Sequence, residues 1–450
     1  MVLVIYICVL VAVCARDVFR RSTYSDFVTA GGRQGPFVVF MTLMATMIGA
    51  SATLGIAAKA ETTGFTAFWW LGAGAIGLLA QGFCLSSRIR SLGARTLPEI
   101  AGMTVGPFGR KLVAGIIVVS WIGVVAAQFS AAEELIRLAA GYSSTVWSVV
   151  GTAAFVTLYT LIGGQLSVVK TDLFQFGILA AGFLAVFIYL FGGFAGGTPV
   201  PASEIVFFTP KFGFWEFLLF VFPVAGAYFL GPDITSRNLV ARNGSVARKA
   251  TFWAVPALTL FAVAITLIGI WAGHNDPGEG NPLFRITKDV LPVWLASLLS
   301  LGLLSALLSS ADTCLINTAA ITSNDVLGRH SVRAVRIAVF VVGVLATFLA
   351  LRGKDIITLL FSAYAVYTPG IVCPLAVAII VHGRRRLVHG LWYAAVAVGG
   401  ILGLLQPVFG FACENPPAFS NYLPLAGMAL SLVIALASVR PLEEKKAVGA

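Results

Sequence analysis

Residues 223–233 read PVAGAYFLGPD and lie in an apolar run long enough to cross a membrane. Two prolines and two glycines in eleven residues predict an interrupted helix, because proline cannot donate a backbone hydrogen bond and glycine tolerates unusual backbone angles. A second stretch, MATMIGASATLG at residues 44–55, is rich in small and β-branched residues at a similar membrane depth. Close packing of small residues explains either stretch alone. Because five helices separate them, the pair favours a five-plus-five inverted repeat with broken first and sixth core helices.

The composition of the surrounding chain requires a lipid environment. Of 450 residues, 58% are hydrophobic and 11% are charged, and the mean hydropathy is +0.94. Soluble domains carry roughly 25% charged residues. Runs long enough to span a bilayer lie at 35–58, 64–86, 112–136, 145–162, 171–193, 214–231, 250–273, 290–323, 333–350, 355–381, 390–410 and 422–439, and a shorter run lies at 2–15. The sequence therefore predicts an all-α integral membrane protein of about thirteen transmembrane helices.

The spacing of these runs divides one transmembrane transporter domain, residues 1–450, into four parts. We expect a peripheral N-terminal helix at 2–15, which arginines follow rather than precede, as in a retained anchor rather than a signal peptide. The first repeat is predicted at 35–193 and the inverted second repeat at 214–381. Two peripheral C-terminal helices are predicted at 390–439.

Lysines and arginines fix the predicted orientation. An external N-terminus and thirteen spans leave the C-terminus in the cytoplasm of a multi-pass protein of the cell (inner) membrane. Predicted cytoplasmic segments then carry Arg16, Arg20, Arg21, Arg33, Arg88, Arg90, Arg95, Arg110, Lys111, Lys170, Arg237, Arg242, Arg248, Lys249, Arg329, Arg333, Arg336, Arg384, Arg385, Arg386, Arg440, Lys445 and Lys446. Predicted external segments carry Lys59, Arg137, Lys211, Arg285, Lys288, Arg352 and Lys354. Because this bias follows the positive-inside rule, the net charge of +11 indicates topology beside a lipid bilayer rather than nucleic-acid binding.

Cysteine and histidine usage argues against a metal or disulfide framework. The six cysteines are scattered, without a CxxC pair, and the four histidines lie in predicted loops away from carboxylates at ligand spacing. No nucleophile–base or metal constellation is recognisable, so the sequence predicts no enzyme and no cofactor.

A polar stripe interrupts the run at 290–323. Residues 304–318 read LSALLSSADTCLINT, and Ser305, Ser309, Asp312 and Thr313 share one helical face. A carboxylate within hydrocarbon is costly unless it lines a protein interior or a wet path. Hydroxyl and carbonyl oxygens suit sodium because each replaces a water of hydration. Hydrogen bonding between packed helices is the alternative explanation.

Asp172 begins the run at 171–193. An acceptor at the amino end of a helix can cap it, and this role is compatible with ion coupling.

Five motifs in order make the chain resemble the sodium:solute symporter family. They are SDF…AGGR at 25–33, TLPE at 96–99, YTLIGG at 159–164 with VKTDLFQ at 169–175, SRNL at 236–239 with AR at 247–248, and SSADT at 309–313 with SNDV at 323–326. We interpret SRNL as part of a loop. The resemblance covers nearly the whole chain and implies the leucine-transporter fold.

The resemblance also implies functional residues. Its shared sodium site matches the backbone carbonyls of Ala45, Ile48 and Ala306 and the hydroxyls of Ser309 and Ser310. Its coupling aspartate matches Asp172, and Asp312 is a second coupling candidate.

Substrate contacts transfer less directly. Sugar-transporting members place amide and carboxylate side chains where this chain has Met47, Ala52 and Trp69–Trp70, which argues against a sugar. The candidate pocket is apolar to aromatic and comprises Met47, Ser51, Trp70, Tyr228, Tyr364 and Tyr367. A small amino acid, carboxylate or amine fits such a pocket, and Asp312 favours a cationic group.

These features predict sodium-coupled symport of a small organic solute by alternating access. One alternative makes the coupling ion a proton carried by Asp312 or Asp172. A transporter-derived sensor is less favoured, because only residues 440–450 follow the last predicted span.

Overall fold

The computed structural model describes residues 6, 23–49, 51–140, 145–352, 356–412 and 417–441. Two short strands, β1 (Arg386–Leu387) and β2 (Val439–Arg440), pair antiparallel. The α-helices are α1 Tyr24–Thr29, α2 Pro36–Met47, α3 Ile56–Thr63, α4 Trp69–Cys84, α5 Ser86–Ser91, α6 Leu97–Val105, α7 Pro107–Ala140, α8 Thr145–Phe191, α9 Phe214–Leu230, α10 Pro232–Val240, α11 Gly244–Asn275, α12 Pro282–Asp289, α13 Val293–Ile321, α14 Val332–Ala350, α15 Ile356–Tyr367, α16 Cys373–Val381, α17 His389–Ala412 and α18 Leu423–Ala437.

Within the described residues, ten helical segments are long and apolar enough to cross a membrane. This confirms a multi-pass, all-helical membrane protein. The count of thirteen and the inverted repeat stay predictions, and the run at 2–15 lies outside the described residues except for Tyr6. Peripheral helices show why lipid is needed, since α14 turns Ile337, Phe340, Val344 and Phe348 outward, each more than half exposed.

Helix α8 contains a backbone break that divides it into two helical segments. Gly164 has φ +63° and ψ −177°, a conformation that residues with a Cβ atom rarely adopt. A Cβ atom at this position would lie 2.5 Å from the ring of Phe27. Glycine is therefore required both for the backbone angles of the bend and for the close packing against Phe27. The bend lies near the predicted boundary between the runs at 145–162 and 171–193.

The first predicted interruption lies between α2 and α3. Helix α2 ends at Met47, and Ile48 leaves helical geometry with φ −96° and ψ 65°. A π-helical turn, Ser51–Gly55, then leads into α3. The run predicted at 35–58 is thus a helix broken near its middle.

The second predicted interruption lies between α9 and α10. Gly231 is extended, with φ −68° and ψ 149°, and Pro232 occupies the first position of α10. A residue before proline avoids the helical region, and proline is favoured at the first position of a helix. Of the two prolines in PVAGAYFLGPD, Pro232 makes the break, while Pro223 lies within α9.

Helix α13 runs through the centre of the molecule. Every residue from 305 to 321 is buried. The polar stripe of this helix therefore faces protein on all sides rather than lipid.

Connecting segments meet in two groups that match the predicted sides of the membrane. Among the predicted cytoplasmic segments, Arg242 N donates to Gln34 O at 3.0 Å, Arg110 forms an ion pair with Asp325 at 2.6 Å, and β1 pairs with β2.

The predicted external segments also contact one another. Arg285 forms an ion pair with Glu61 at 2.6 Å, and His274 hydrogen-bonds Glu204 at 2.7 Å. These contacts divide the described loops into two groups, while the number of spans and the orientation stay predictions.

Candidate functional site

The end of α2 presents backbone carbonyls to two serines of α13. The Ile48 amide donates to Met44 O at 3.0 Å, after which the helix stops, so Ala45 O has no backbone amide partner among the described residues. Ser309 Oγ donates to Ala45 O at 2.9 Å, and Ser310 Oγ donates to Thr46 O at 3.1 Å. Consecutive serines on one helix thus hold consecutive carbonyls on the broken one.

Four of the five predicted sodium ligands come together here. Ser309 Oγ also lies 3.1 Å from Ala306 O, which brings Ala45, Ala306 and Ser309 to one point, with Ser310 beside them. Ile48 is fully buried at the break itself. These ligands are neutral oxygens of the kind that replace the hydration shell of sodium.

The break packs directly against Ser310. A Cβ atom added to Gly49 would lie 2.3 Å from Ser310 Oγ. Only glycine at this position lets the backbone approach the serine so closely.

Asp172 pairs with a buried arginine beside this oxygen cluster. Its carboxylate lies 3.0 Å from Arg237 Nη2, both side chains are fully buried, and Thr42 also donates to Asp172. Removing two charges from water is costly, so each depends on its partner.

Arg237 connects both broken helices to α13. Its Nε donates to Thr46 Oγ1 at 2.9 Å, and its Nη2 donates to the Thr313 hydroxyl. Thr313 Oγ1 in turn donates to Ser309 O at 2.7 Å. Arg237 therefore contacts Thr46 directly and reaches Ser309, a residue of the oxygen cluster, through Thr313.

Asp312 is fully buried and poorly satisfied. Thr313 Oγ1 lies 3.4 Å from Asp312 Oδ1. Among the described residues, Asp312 Oδ2, Asp172 Oδ1 and Arg237 Nη1 have no hydrogen-bond partner. Unsatisfied buried polar atoms are rare in folded proteins and often mark functional positions.

Two sequence interpretations are corrected here. The sequence predicts the SRNL motif in a loop and Arg237 in a cytoplasmic segment, but the motif lies in α10 and Arg237 is fully buried. The helix resumes after Gly231, which carries Arg237 back into the protein.

Asp172 does not cap a helix either. The second half of α8 begins directly after Gly164, so Asp172 lies two turns inside it.

A small cavity of about 40 Å³ lies between the two helix breaks. It contains three of the six predicted pocket residues, Met47, Tyr228 and Tyr364. Its full lining is Thr46, Met47, Trp121, Ala227, Tyr228, Gly231, Asp233, Ile234 and Tyr364.

The other three predicted pocket residues lie elsewhere. Trp70 lines a separate cavity of about 1040 Å³ that also contains Lys59 and Lys211. Tyr367 lies behind Trp121, with ring centroids 4.7 Å apart, and its hydroxyl donates to Leu230 O. Ser51 is buried in the π-helical turn. The single pocket expected from the sequence is therefore split.

Asp233 was not predicted as a site residue, although it ends the PVAGAYFLGPD stretch. Its carboxylate accepts from Trp121 Nε1 at 2.7 Å and from Asn317 Nδ2 at 3.3 Å, and Cys314 Sγ lies 3.5 Å away. The sequence could have indicated Asp233 as a site residue, because it lies two residues after the predicted helix break.

Two interrupted helices packed on a polar central helix, with serine hydroxyls on the carbonyls of the first break, are typical of secondary transporters. The chain belongs to the sodium:solute symporter family, whose sequence profile matches residues 27–385. This confirms the resemblance of the motifs. It makes the protein a transporter rather than an enzyme and supports sodium as the coupling ion for a small solute.

Solved structures share the fold at low sequence identity. The chain is similar to a sodium-coupled sialic acid symporter in a substrate-bound outward-open state, with TM-score 0.74, 16% identity and 98% of each chain covered. It is also similar to the nucleobase-cation-symport-1 family transporter Mhp1 in a closed conformation with bromovinylhydantoin bound, with TM-score 0.66, 16% identity, and coverage of 91% of this chain and 93% of Mhp1. MhsT in complex with L-phenylalanine gives TM-score 0.53 at 14% identity, covering 89% of this chain and 97% of MhsT.

Proposed function

We propose that this chain couples sodium influx to the uptake of a small organic solute by alternating access. The observation that carries the proposal is the pairing of Ser309 and Ser310 hydroxyls with the carbonyls of Ala45 and Thr46 at the first helix break. These groups are hydrogen-bonded to one another, and their oxygens can turn to a cation without leaving charge unpaired.

Sodium binds the carbonyls of Ala45, Ile48 and Ala306 and the hydroxyls of Ser309 and Ser310. The ion then bridges the broken helix α2 to the central helix α13. Because it prefers the state in which these helices are close together, it shifts the protein toward that state. The membrane potential supplies about 2.3 kcal/mol per charge per 100 mV for this step.

Arg237 transmits the state of the sodium site to the second broken helix. It contacts Thr46 beside the sodium ligands and Thr313 beneath Ser309, and it is anchored by Asp172. Movement of α2 on sodium binding would change these contacts. Asp172 and Asp312 are accordingly the coupling residues.

The solute binds in the cavity between the breaks, against Met47, Tyr228 and Tyr364. Trp70 lies on the wall of the larger cavity, and we place it on the approach path. Ser51 and Tyr367 support the break and the Trp121 ring, respectively.

The protein lies in the cell membrane with its N-terminus outside and its C-terminus in the cytoplasm, and its core consists of inverted repeats at 35–193 and 214–381. The charge bias between the two groups of loops supports this orientation. The matching positions of the two breaks support the repeats.

Replacement of Ser310 by alanine tests the sodium site. Ser310→Ala removes one ligand oxygen, and we expect the sodium concentration for half-maximal stimulation to rise about tenfold, the effect of roughly 1.4 kcal/mol. Sodium-dependent thermal stabilisation of the purified, reconstituted protein measures this, because it needs no knowledge of the solute.

Ser297→Ala is the matched control, since Ser297 lies on the same helix and, within the described residues, its hydroxyl donates to Val293 O alone, at 2.8 Å. It should leave the sodium dependence unchanged. An unchanged sodium dependence in Ser310→Ala would remove the proposed site. Stabilisation and uptake that respond to a proton gradient without sodium would favour the proton-coupled alternative.

A further inference from the structure

We propose that the cavity at the second helix break binds an ammonium group, with the Asp233 carboxylate as its counter-charge. The transported solute would then carry a protonated amine or a quaternary ammonium. This inference rests on the proposed transport function and names its substrate class.

The Asp233 carboxylate has only neutral partners in the described part of the chain. Its donors are the Trp121 indole, the Asn317 amide and the weak Cys314 thiol. The nearest arginine along the chain, Arg237, is bound to Asp172, Thr46 and Thr313 instead. A buried carboxylate without a cation is costly, so a cationic ligand at this position has a large electrostatic advantage.

Aromatic groups complete the cavity. Trp121, Tyr228 and Tyr364 line it together with Asp233. The Trp121 and Tyr364 ring centroids are 6.3 Å apart, so the two rings border the same small space. Aromatic faces attract ammonium ions, and the effect is strongest for tryptophan and in a desolvated site.

The two tyrosine hydroxyls are available as acceptors. Among the described residues, neither Tyr228 nor Tyr364 has a hydrogen-bond partner for its hydroxyl, whereas Tyr367 donates to Leu230 O. A phenol oxygen can accept a hydrogen bond from an N–H group. The cavity thus offers a carboxylate, two phenol oxygens and an indole face to one cation.

The charged side chains buried beside the two helix breaks also favour a cationic ligand. Beside the two breaks, Asp172, Asp233 and Asp312 are buried with one guanidinium, that of Arg237, so these four groups together carry two net negative charges when all are ionised. Sodium at the first break supplies one positive charge. An ammonium group at the second break supplies the other.

The larger cavity refines the class of solute. Lys59 and Lys211 line it and are exposed. Lysines on the approach path attract carboxylates. On such a path a zwitterion with both an ammonium and a carboxylate is attracted more strongly than a simple amine.

Asp233 also lies in the first turn of α10, where a carboxylate stabilises the helix through its dipole. The Asp233→Asn variant tests whether the charge of Asp233 is needed for ligand binding while it keeps the shape of the side chain. The amide oxygen can still accept from Trp121, but the charge is gone.

The experiment compares isosteric ligands that differ in the ammonium group. The probes are β-alanine against butanoate, ethanolamine against propanol, and choline against its neutral carbon isostere. Binding to the purified full-length protein in saturating sodium is measured by calorimetry and by thermal shift. We expect at least one ammonium compound to bind ten times or more tightly than its isostere, and Asp233→Asn to abolish this preference.

Glu216→Gln is the matched control, because Glu216 lies at the far end of the same broken helix and, in the described part of the chain, accepts a hydrogen bond from Gly213 N alone, at 3.0 Å. It should keep the preference. If no ammonium compound outbinds its isostere, or if the preference persists in Asp233→Asn, the proposal is wrong. Stabilisation by sodium alone is measured in the same samples, so a failure here remains distinguishable from a failure of the sodium site.

Discussion

The two helix breaks lie on either side of one small cavity but present different chemistry. The break after Met47 offers neutral oxygens, from Ala45 and the paired serines of α13. The break at Gly231 places a carboxylate, Asp233, in the first turn of the next half-helix. A neutral oxygen cluster selects a small bare cation by replacing its water, whereas a buried carboxylate selects a cation by charge and leaves room for a larger one. This difference is why we propose that the ion binds at the first break and the solute at the second.

Arg237 joins the two breaks, and its replacement should give the largest effect. Arg237→Met leaves Asp172 buried without its partner, which costs about 3–5 kcal/mol when a buried ion pair is broken. We expect a large loss of thermal stability and of correctly folded protein in the membrane. Fluorescence-detected size exclusion and thermal unfolding measure both.

The double variant Arg237→Met with Asp172→Asn should recover most of that stability, because the unpaired charge is removed. Arg242→Met, an exposed arginine two residues beyond α10, is the control and should change stability by no more than about 0.5 kcal/mol. A stable single variant, or a double variant as unstable as the single one, would show that the pair does not hold the breaks together.

Gly49→Ala should affect the first break alone. The added methyl group would lie 2.3 Å from Ser310 Oγ, so the serine or the backbone must move. Overpacking costs typically about 1–3 kcal/mol, and we expect the sodium requirement to rise about tenfold. Sodium titration of thermal stability measures it.

The control for this variant is Gly177→Ala in α8, where an added Cβ atom meets nothing within 4 Å. Sodium dependence should stay normal there. If Gly49→Ala also bound sodium normally, close approach of the break to Ser310 would not matter for the ion. If it instead changed only the ammonium preference, our assignment of the two breaks would be reversed.

The sequence predicts the first break better than the second. The small residues at 44–55 and the serine pair at 309–310 are local patterns. In the structure the two stretches contact each other, and Ser309 Oγ donates to Ala45 O. The second break was located correctly at PVAGAYFLGPD, but its chemistry was missed. Asp172 and Arg237 are 65 residues apart, and Trp121 and Asp233 are 112 residues apart. Such pairs depend on how helices pack rather than on local periodicity.

Arg237 also shows why a local rule fails at a broken helix. A basic residue after an apolar run ordinarily marks the cytoplasmic end of a span. Here the chain resumes as α10 after Gly231, and the arginine turns into the core instead. The predicted aromatic pocket also included Trp70, which the fold places in a different cavity. Residue type alone did not indicate this separation. Packing across the break, and not the residue types alone, decides which aromatic side chains line the small cavity.

Replacement of Cys314 by serine should have the smallest effect, and it tests whether the two helix breaks bind different ligands. Cys314 lies on α13 one turn beyond Ser310, but its thiol faces Asp233 at 3.5 Å rather than the first break. Cys314→Ser replaces a weak donor by a stronger one, which satisfies the carboxylate better and competes with an ammonium ligand. We expect the preference for ammonium over its isostere to fall by about threefold, at the low end of the net value of one hydrogen bond because the thiol is already a weak donor, while sodium dependence is unchanged. A change in sodium dependence with an unchanged ammonium preference would mean that neighbouring positions of α13 do not divide between the two breaks, and the separation of ion and solute sites would fail with it.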